Sequence, residues 1–415
     1  MEVKQTTNQD GKILNRHTSY VKAKSPLTDA QYEIRPKVGM VNDSYKVEAY
    51  VVSINMPACT VNNNALLDIL VFKAALCARY MLQIYLLKNG CPFEMVQRVQ
   101  LEHATIQGLT LTYLLPAPKG KTADAMNSEL KLRARSLQPS SRMRGLSKVD
   151  AYESTSRTVY LEHSCGIKVT AYVKDKPTPG QKAFCALPKK AAKEVFTESV
   201  KFLRVEATLG TAWLNKHPEF AAIKNWKSLK KAQAMQKTVF DTLRTLLGLD
   251  MQFRKRWPKP VYLQKLSPSQ AEVLDAYKSV KKDTHHLLWD HPSLVGKSKQ
   301  YVSKVKKALW DKLDIDIDVL WAEHARLPEL KWFQYPVRYE LPKRLGHLAD
   351  YVFVRETVQR KLDHLRQMIA EHGQQSPNAR CAASQAVDAP LPPAGQPKAK
   401  VKRKLTFGNI GAGLK

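Results

Sequence analysis

The spacing of hydrophobic residues changes repeatedly between residues 45 and 214, and this restricts the fold more than any other feature of the chain. The stretch YKVEAYVVSINMPA alternates with a period of two, which is typical of a half-buried strand. The stretch NNNALLDILVFKAALCARYMLQIYLLKNG has the spacing of an amphipathic helix that ends at Asn89 and Gly90. Asn63 or Asn64 is its expected N-cap. Residues 96–116 then alternate as one or two strands closed by proline.

A second group of alternating segments follows a basic, polar stretch. TVYLEHSC and IKVTAYVKDK are expected to pair as antiparallel strands with Gly166 in the turn between them. KKAAKEVFTESV has helical spacing, and KFLRVEATLGTAWLNK alternates as another strand from Lys201. This order predicts an α+β domain over residues 33–222, in which helices cover one face of an antiparallel sheet.

The remaining segments differ in composition from this domain. Residues 1–32 are polar and are expected to form a flexible lead. Residues 223–374 are rich in Lys, Leu and Trp with helical spacing, which predicts a mainly helical, basic domain; Ser267 before Pro268 marks one helix start. Residues 375–415 are rich in Pro, Ala, Gly and Gln and end with basic residues, which predicts a disordered basic tail.

The charge balance points to a polyanionic partner. The 415 residues contain 67 Lys and Arg against 37 Asp and Glu, a formal net charge of +30, which favours nucleic acid over an anionic membrane. The chain has no apolar run of membrane-spanning length and no signal-peptide pattern at its N-terminus, so we expect a cytoplasmic protein without membrane contact. The six cysteines form no CxxC pair, which favours buried thiols over disulfides or zinc ligands.

Tyr172 and Lys174 form a Tyr-x-Lys pair on one face of a predicted strand. A tyrosine hydroxyl is a weak nucleophile near neutral pH because its pKa is about 10. A neighbouring ammonium favours the phenolate, and a divalent cation can polarise a phosphate under attack. The pair therefore has the composition needed for a covalent phosphotyrosine reaction, although most strand tyrosines only pack against their neighbours.

The order of motifs around this pair resembles the gene II/gene X family of filamentous phages and related plasmids, whose members are rolling-circle replication initiators. The family has a T-x-[YW] strand, a strand ending in aromatic-x-Lys and an Arg-x-Glu strand. The counterparts here are Thr158-Val159-Tyr160, GIKVTAYVK, and FLRVEATLGTAWL with Arg204 and Glu206. SINMPACTVNNNALLDI and IQGLTLTYLLP resemble two upstream segments of the family, so the resemblance covers about half of the chain.

The resemblance implies an enzyme that nicks and rejoins one DNA strand at a phage or plasmid origin. Tyr172 would be the nucleophile, assisted by Lys174, with Tyr160 as the alternative nucleophile. Glu206, with Glu102 or His103, would hold Mg²⁺ or Mn²⁺. Lys168, Lys176 and Arg204 would bind DNA. Lys174 and Lys168 are also explained as contacts to the phosphate backbone without a catalytic role, because a basic sheet face needs no chemistry to bind DNA. The expected partners are origin DNA, single-stranded at the nick, and a host helicase and polymerase in a bacterial cytoplasm.

Two departures from the family pattern keep other interpretations open. Gly108 and Thr110 stand where the family has Arg and Asp, and Asn62-Asn63-Asn64 stands where it has Gly-His-Asn. A metal ligand is therefore missing or displaced, so a DNA-binding replication-control protein without catalysis is the alternative function. An RNA-binding module accounts for the charge but not for the ordered motifs.

Several conspicuous residues also have simple structural explanations. Arg204 and Glu206 can be a partly buried ion pair, and the asparagine triplet can be a turn and helix cap. The tract DTHHLLWDH, with His285, His286, Asp290 and His291, is a weak candidate metal site because adjacent histidines face different directions on a helix. Most tryptophans beside basic residues are expected to pack in the core, and one or two are expected to stack on bases. These tryptophans are Trp226, Trp257, Trp289, Trp310, Trp321 and Trp332.

Overall fold

Two five-stranded sheets and a surrounding set of helices give the chain an α+β architecture. The computed structural model describes residues 3–7, 13–18, 20–41, 44–102, 104–140, 146–150, 158–175, 187–280, 295–374 and 404–407. The strands are β1 (Val3–Thr7), β2 (Ile13–Thr18), β3 (Val21–Lys24), β4 (Gln31–Val41), β5 (Ser44–Ser53), β6 (Thr105–Ile106), β7 (Leu109–Pro116), β8 (Leu146–Asp150), β9 (Val159–His163), β10 (Ile167–Tyr172), β11 (Phe202–Leu209) and β12 (Lys404–Phe407).

The first sheet is antiparallel and has the strand order β7-β11-β10-β9-β8. Gly166 lies in the tight turn between β9 and β10, as the sequence predicts. Its φ is +92°, and a Cβ at this position would lie 2.8 Å from the backbone nitrogen of Trp213. Glycine is therefore required both by the backbone conformation and by the close approach of the neighbouring chain.

The two faces of this sheet differ because its strands alternate in polarity. One face is apolar and fully buried, with Leu111, Val205, Val169 and Leu161 among its residues. Two helices, α4 (Ala123–Leu137) and α8 (Leu229–Leu246), pack on it, and the Tyr113 hydroxyl donates to the Gln236 carbonyl of α8 at 2.7 Å. The opposite face carries the polar residues of the candidate site.

The second sheet has the order β3-β4-β5-β12-β6, in which β12 pairs in parallel with both β5 and β6. Three helices follow β5: α1 (Met56–Val61), α2 (Val71–Lys88) and α3 (Phe93–Gln97). The long helix α2 packs against this sheet, and the Tyr32 hydroxyl of β4 donates to the Met81 carbonyl at 2.9 Å. Strands β1 and β2 form a separate antiparallel pair.

The remaining elements are mostly helical. They are α5 (Lys189–Ser199), α6 (Thr211–Lys216), α7 (Pro218–Ala221), α9 (Pro260–Leu263), α10 (Pro268–Ser279), α11 (Lys299–Leu313), α12 (Trp321–His324), α13 (Arg355–Gln374) and 3₁₀ helices at Ile223–Trp226 and Lys343–Tyr351. Ser267 caps α10 and Pro268 is its first residue, as predicted from the sequence. Each helix in the described residues is too short or too polar to cross a membrane.

The α+β class and the antiparallel sheet agree with the sequence prediction, but several details differ. The expected lead contains β1, β2 and β3, and the expected tail contains β12. Helices were expected on one face of the first sheet, but they lie on both. On the polar face, Leu114 packs with Val195 of α5 and Leu348 of the second 3₁₀ helix. The expected helix at Asn63 begins only at Val71.

Candidate active site

The polar face of the first sheet brings the sequence motifs into cross-strand rows. Thr112, Glu206, Thr170 and Tyr160 are paired across β7, β11, β10 and β9. Arg204 of β11 is paired with Tyr172, the last residue of β10. Residues two apart on a strand share a face, so Tyr172 lies beside both members of the Arg-x-Glu motif.

Tyr172, Glu206 and Arg204 form one hydrogen-bonded group. The Tyr172 hydroxyl donates to Glu206 Oε1 at 3.0 Å, and Arg204 Nε donates to the same oxygen at 2.7 Å. A second Arg204 nitrogen donates to the Asn64 carbonyl. Arg204 is only 3% exposed, so its charge is neutralised by Glu206 rather than by water. The guanidinium also lies 5.8 Å from the centroid of the Tyr172 ring.

The surroundings change the acidity of Tyr172 and Lys174 in different ways. Burial raises the pKa of Tyr172 above its usual value of 10; Arg204 opposes this increase and Glu206 adds to it. Burial and the nearby Arg204 lower the pKa of Lys174 to about 8. The Lys174 ammonium lies 6.0 Å from the Tyr172 ring centroid, and the residue is 5% exposed. The resting tyrosine is therefore protonated at neutral pH, while Lys174 can lose its proton within one pH unit of neutrality.

A small cavity of about 70 Å³ adjoins this group. Glu206 and Arg204 line it from the sheet, together with Thr110 and Thr112. Asn64 and Asp68 line it from the loop between α1 and α2. The sequence gives no signal for Asp68 as a site residue, because it lies inside a stretch whose apolar spacing predicts a helix. Its Oδ2 atom pairs with Arg338 Nε at 2.5 Å, and its Oδ1 atom accepts from the Ile69 amide at 2.8 Å.

The other residues proposed from the sequence are less well placed. Lys168 lies on the same face of β10 as Tyr172, and its ammonium pairs with Glu162 at 3.1 Å. Glu102 lies in an exposed turn after α3 and does not line the cavity. His103, Lys176 and the tract with His285, His286, Asp290 and His291 lie outside the described residues.

Most tryptophans in the described residues have partners inside the protein. Trp226 is buried and donates to the Phe220 carbonyl at 2.9 Å. Trp257 and Trp321 form an edge-to-face pair with centroids 5.0 Å apart, and the Trp332 indole donates to Glu129 at 2.7 Å. Trp310 packs edge-to-face on Phe253, and Trp289 lies outside the described residues. The packing explanation therefore accounts for the tryptophans whose surroundings are described.

The donors around Glu206 do not fit the divalent cation implied by the resemblance. Within the described residues, no three His, Cys, Asp or Glu side chains are grouped closely enough to hold a metal ion. Glu206 is bound to Arg204, and the nearby Asp68 is bound to Arg338. Thr110, which the resemblance would align with an aspartate, shares a 2.9 Å hydrogen bond with Thr208.

No protein-family model, curated protein or solved structure matches the chain. The function must therefore be inferred from the geometry of the site and from the resemblance of its motifs.

Proposed function

We propose that this protein is a rolling-circle replication initiator that nicks and rejoins one strand of origin DNA through Tyr172. The observation that carries the proposal is the 3.0 Å hydrogen bond from the Tyr172 hydroxyl to Glu206, which Arg204 holds in place. A nucleophile, a base within hydrogen-bond reach and a third group that orients the base are the usual components of an activated nucleophile.

The reaction follows from the protonation states of these residues. Tyr172 Oη attacks the phosphorus of an unpaired strand while its proton passes to the carboxylate of Glu206. The bond between phosphorus and the 3′ oxygen breaks, and the Lys174 ammonium donates a proton to that oxygen. The products are a 5′-phosphotyrosine and a free 3′-hydroxyl that a host polymerase can extend. Joining is the reverse reaction, because the phosphotyrosine bond conserves the energy of the broken phosphodiester.

The positions of the two cations suit this chemistry. A pKa of about 8 for Lys174 lies near the value at which a general acid works best at neutral pH. Arg204 is fixed by Glu206 and by the Asn64 carbonyl, so it provides a pre-oriented positive charge beside the reacting oxygen. All of these steps use side chains of the chain itself.

A DNA-binding replication-control protein without catalysis is the second candidate. The same contacts favour it, because Arg204 and Glu206 form a closed ion pair and the part of the chain that the structure describes contains no group of three metal-binding side chains. Under this proposal the hydroxyl of Tyr172 has a structural role only.

Replacement of Tyr172 by Phe separates the two candidates. The ring is kept, and loss of the hydrogen bond to the Glu206 carboxylate should lower the free energy of unfolding by about 1.5–3 kcal/mol. We expect the variant to bind supercoiled DNA of its own replicon normally but to form neither a nick nor a covalent adduct. Glu206→Gln should slow nicking by about 10²- to 10⁴-fold, since an amide cannot accept the proton.

Tyr160→Phe is the matched control, because Tyr160 lies on the same sheet face in the neighbouring strand. It should nick at the wild-type rate. Adduct formation by Tyr172→Phe but not by Tyr160→Phe would move the nucleophile to β9. No adduct from the wild type, with Mg²⁺, Mn²⁺ or a chelator present, would favour the binding protein.

A further inference from the structure

A second cavity of about 350 Å³ adjoins the one beside Glu206. The two share the loop residues Leu67, Asp68, Ile69 and Leu70 and the sheet residue Thr112. The larger cavity is bounded by β7, by α8 and by residues 335–339 before the second 3₁₀ helix. Its volume is in the range of sites that bind small organic groups.

The entrance to this cavity exposes apolar side chains. Val337 is 92% exposed and Leu229 is 49% exposed, and both line the cavity. Tyr335 and Tyr339 add two aromatic rings to the same lining. Apolar and aromatic groups that converge on one opening favour a flat, partly apolar ligand.

The polar groups of the cavity combine donors and acceptors. The bond between Arg338 and Asp68 uses Nε, one of five donors of the guanidinium, and one lone pair of Asp68 Oδ2. An ionised carboxylate can accept about four hydrogen bonds, of which Asp68 uses one from Arg338 and one from the Ile69 amide. In the described residues the buried Tyr339 hydroxyl has no hydrogen-bond partner, which is unusual for a folded protein.

We propose that this cavity binds one unpaired nucleobase, preferentially guanine, of the DNA strand whose phosphate reaches Tyr172. This inference deepens the proposed function and rests on it for the identity of the strand. The Watson–Crick edge of guanine presents two N–H donors and the O6 acceptor. The donors match the carboxylate of Asp68, and the acceptor matches the guanidinium of Arg338. Val337 and Leu229 would cover the faces of the base.

The position of the cavity gives this contact a role in choosing the nick site. Asp68 lines both cavities, so a base held there is adjacent to the group formed by Tyr172, Glu206 and Arg204. A bound base limits the positions that its flanking phosphates can reach. Recognition of the base would therefore determine which phosphodiester lies opposite the Tyr172 hydroxyl.

The test measures binding without cleavage. The full-length Tyr172→Phe protein is titrated by fluorescence anisotropy against twelve-nucleotide oligothymidylates that carry a single central guanine, adenine, cytosine or thymine. We expect the guanine oligonucleotide to bind about tenfold more tightly than the all-thymine one. Asp68→Asn should remove this preference, and Val337→Ser should weaken binding of the guanine oligonucleotide severalfold. Val261→Ser is the matched control, since Val261 is also exposed, at 58%, but does not line the cavity.

The outcomes distinguish this inference from the proposed function. If the Tyr172→Phe protein prefers guanine and the wild-type protein never nicks DNA, the base-binding cavity would be supported and the nickase activity rejected. Equal binding of the four oligonucleotides, with nicking intact, would overturn the pocket alone. Free guanosine monophosphate provides a further check. If it binds strongly and displaces the oligonucleotide completely, the cavity recognises a free nucleotide, and the proposal that it binds a base of a DNA strand is overturned. The preference of the unmutated pocket is measured first, so the result does not depend on whether Asp68→Asn folds.

Discussion

Arg204 shows how a single buried charge can organise a group of hydrogen-bonded side chains. Its guanidinium donates to Glu206 and to the Asn64 carbonyl, and it is almost fully excluded from water. A buried ion pair contributes little net stability, but breaking one partner is costly. The pair is therefore better explained by its effect on Glu206, whose carboxylate it holds beside the Tyr172 hydroxyl.

His324 provides a test of folding energetics at the residue scale. The ring is buried; its Nε2 accepts from the Asp316 amide at 3.2 Å, and its Nδ1 donates to the Arg254 carbonyl at 2.9 Å. Burial lowers the pKa of His324 from 6.5 to about 4, while the Arg254 carbonyl opposes this and Lys255 adds to it. Between these values the unfolded chain binds a proton that the folded chain does not, so stability falls as the pH falls from 6.5 to 4.

We predict that this single group accounts for a stability loss of up to about 3 kcal/mol over that interval. The measurement is thermal or urea unfolding at several pH values for the wild type and for His324→Gln. Glutamine can still accept from the Asp316 amide and donate to the Arg254 carbonyl, but it does not titrate. The variant should lose less stability on acidification than the wild type. Parallel pH profiles for the two proteins would show that His324 does not carry the effect.

At the scale of elements, α10 has a complete capping box. The Ser267 hydroxyl accepts from the Gln270 amide, and the Gln270 side chain accepts from the Ser267 amide at 3.2 Å. The helix then buries Val273, Leu274 and Tyr277 against α11. The cap therefore fixes the start of an element on which a local core depends.

Ser267→Ala should lower the free energy of unfolding by about 1 kcal/mol, because it removes a side-chain cap from a packed helix. Ser228→Ala is the matched control, since Ser228 occupies the same position at the start of α8 without a side-chain cap bond. The control should change stability by less than about half that amount. Equal losses in urea unfolding would mean that the cap contributes nothing specific.

The two ends of α2 differ in how well the sequence predicts them. Its end at Asn89 could be predicted, because asparagine and glycine follow a run of periodic apolar residues. Its start could not, because Asn63 is held by the Val61 and Tyr351 carbonyls and caps no helix. The contact with Tyr351 joins residues that are far apart in sequence, so no local pattern reports it.

The candidate site could likewise be predicted in part: its strand residues follow from the sequence, but its loop residues do not. Tyr172, Arg204 and Glu206 lie on two strands with clear alternation, so their common face follows from period-two spacing and antiparallel pairing. Lys174 was expected on the same strand as Tyr172, but β10 ends at Tyr172 and Lys174 follows it. Asp68 and Arg338 meet only in the folded chain, from a loop and from a segment without regular structure. The pairing of β12 with β5 and β6 is likewise non-local.

At the scale of the whole molecule, the sequence boundary at residue 223 does not separate two cores. Val239 and Phe240 of α8 and Leu362 of α13 belong to the same apolar core as the residues of both sheets. The Lys73 ammonium of α2 also bonds Gln359 of α13 at 3.0 Å. Among the described residues, α10 and α11 bury a cluster with Ile315 and Ile317 that contains no residue from before position 223, whereas the two other small clusters include Leu114 and Leu137. These two helices are therefore the part of the helical region that is packed most independently.

The positions of the basic side chains indicate which surface is suited to the DNA binding that we propose. Lys174 and Arg204 are buried in the candidate site, and Lys168 is paired with Glu162, so these residues are poorly placed to hold the DNA backbone. Helix α11 packs through Val305 and Leu309 and leaves Lys304 and Lys307 exposed. Its outer face is therefore a basic surface suited to phosphate contacts.

Neutralising that face should change the salt dependence of DNA binding. Each phosphate contact releases counterions, so log K falls linearly with log salt concentration with a slope of about 0.9 per contact on duplex DNA. The double variant Lys304→Gln/Lys307→Gln should reduce this slope by about 1.8 in titrations from low to physiological salt. Lys22→Gln/Lys37→Gln is the matched control, because it removes the same charge from exposed positions on β3 and β4. If both double variants reduce the slope equally, the net charge of the chain rather than the face of α11 determines how it holds DNA.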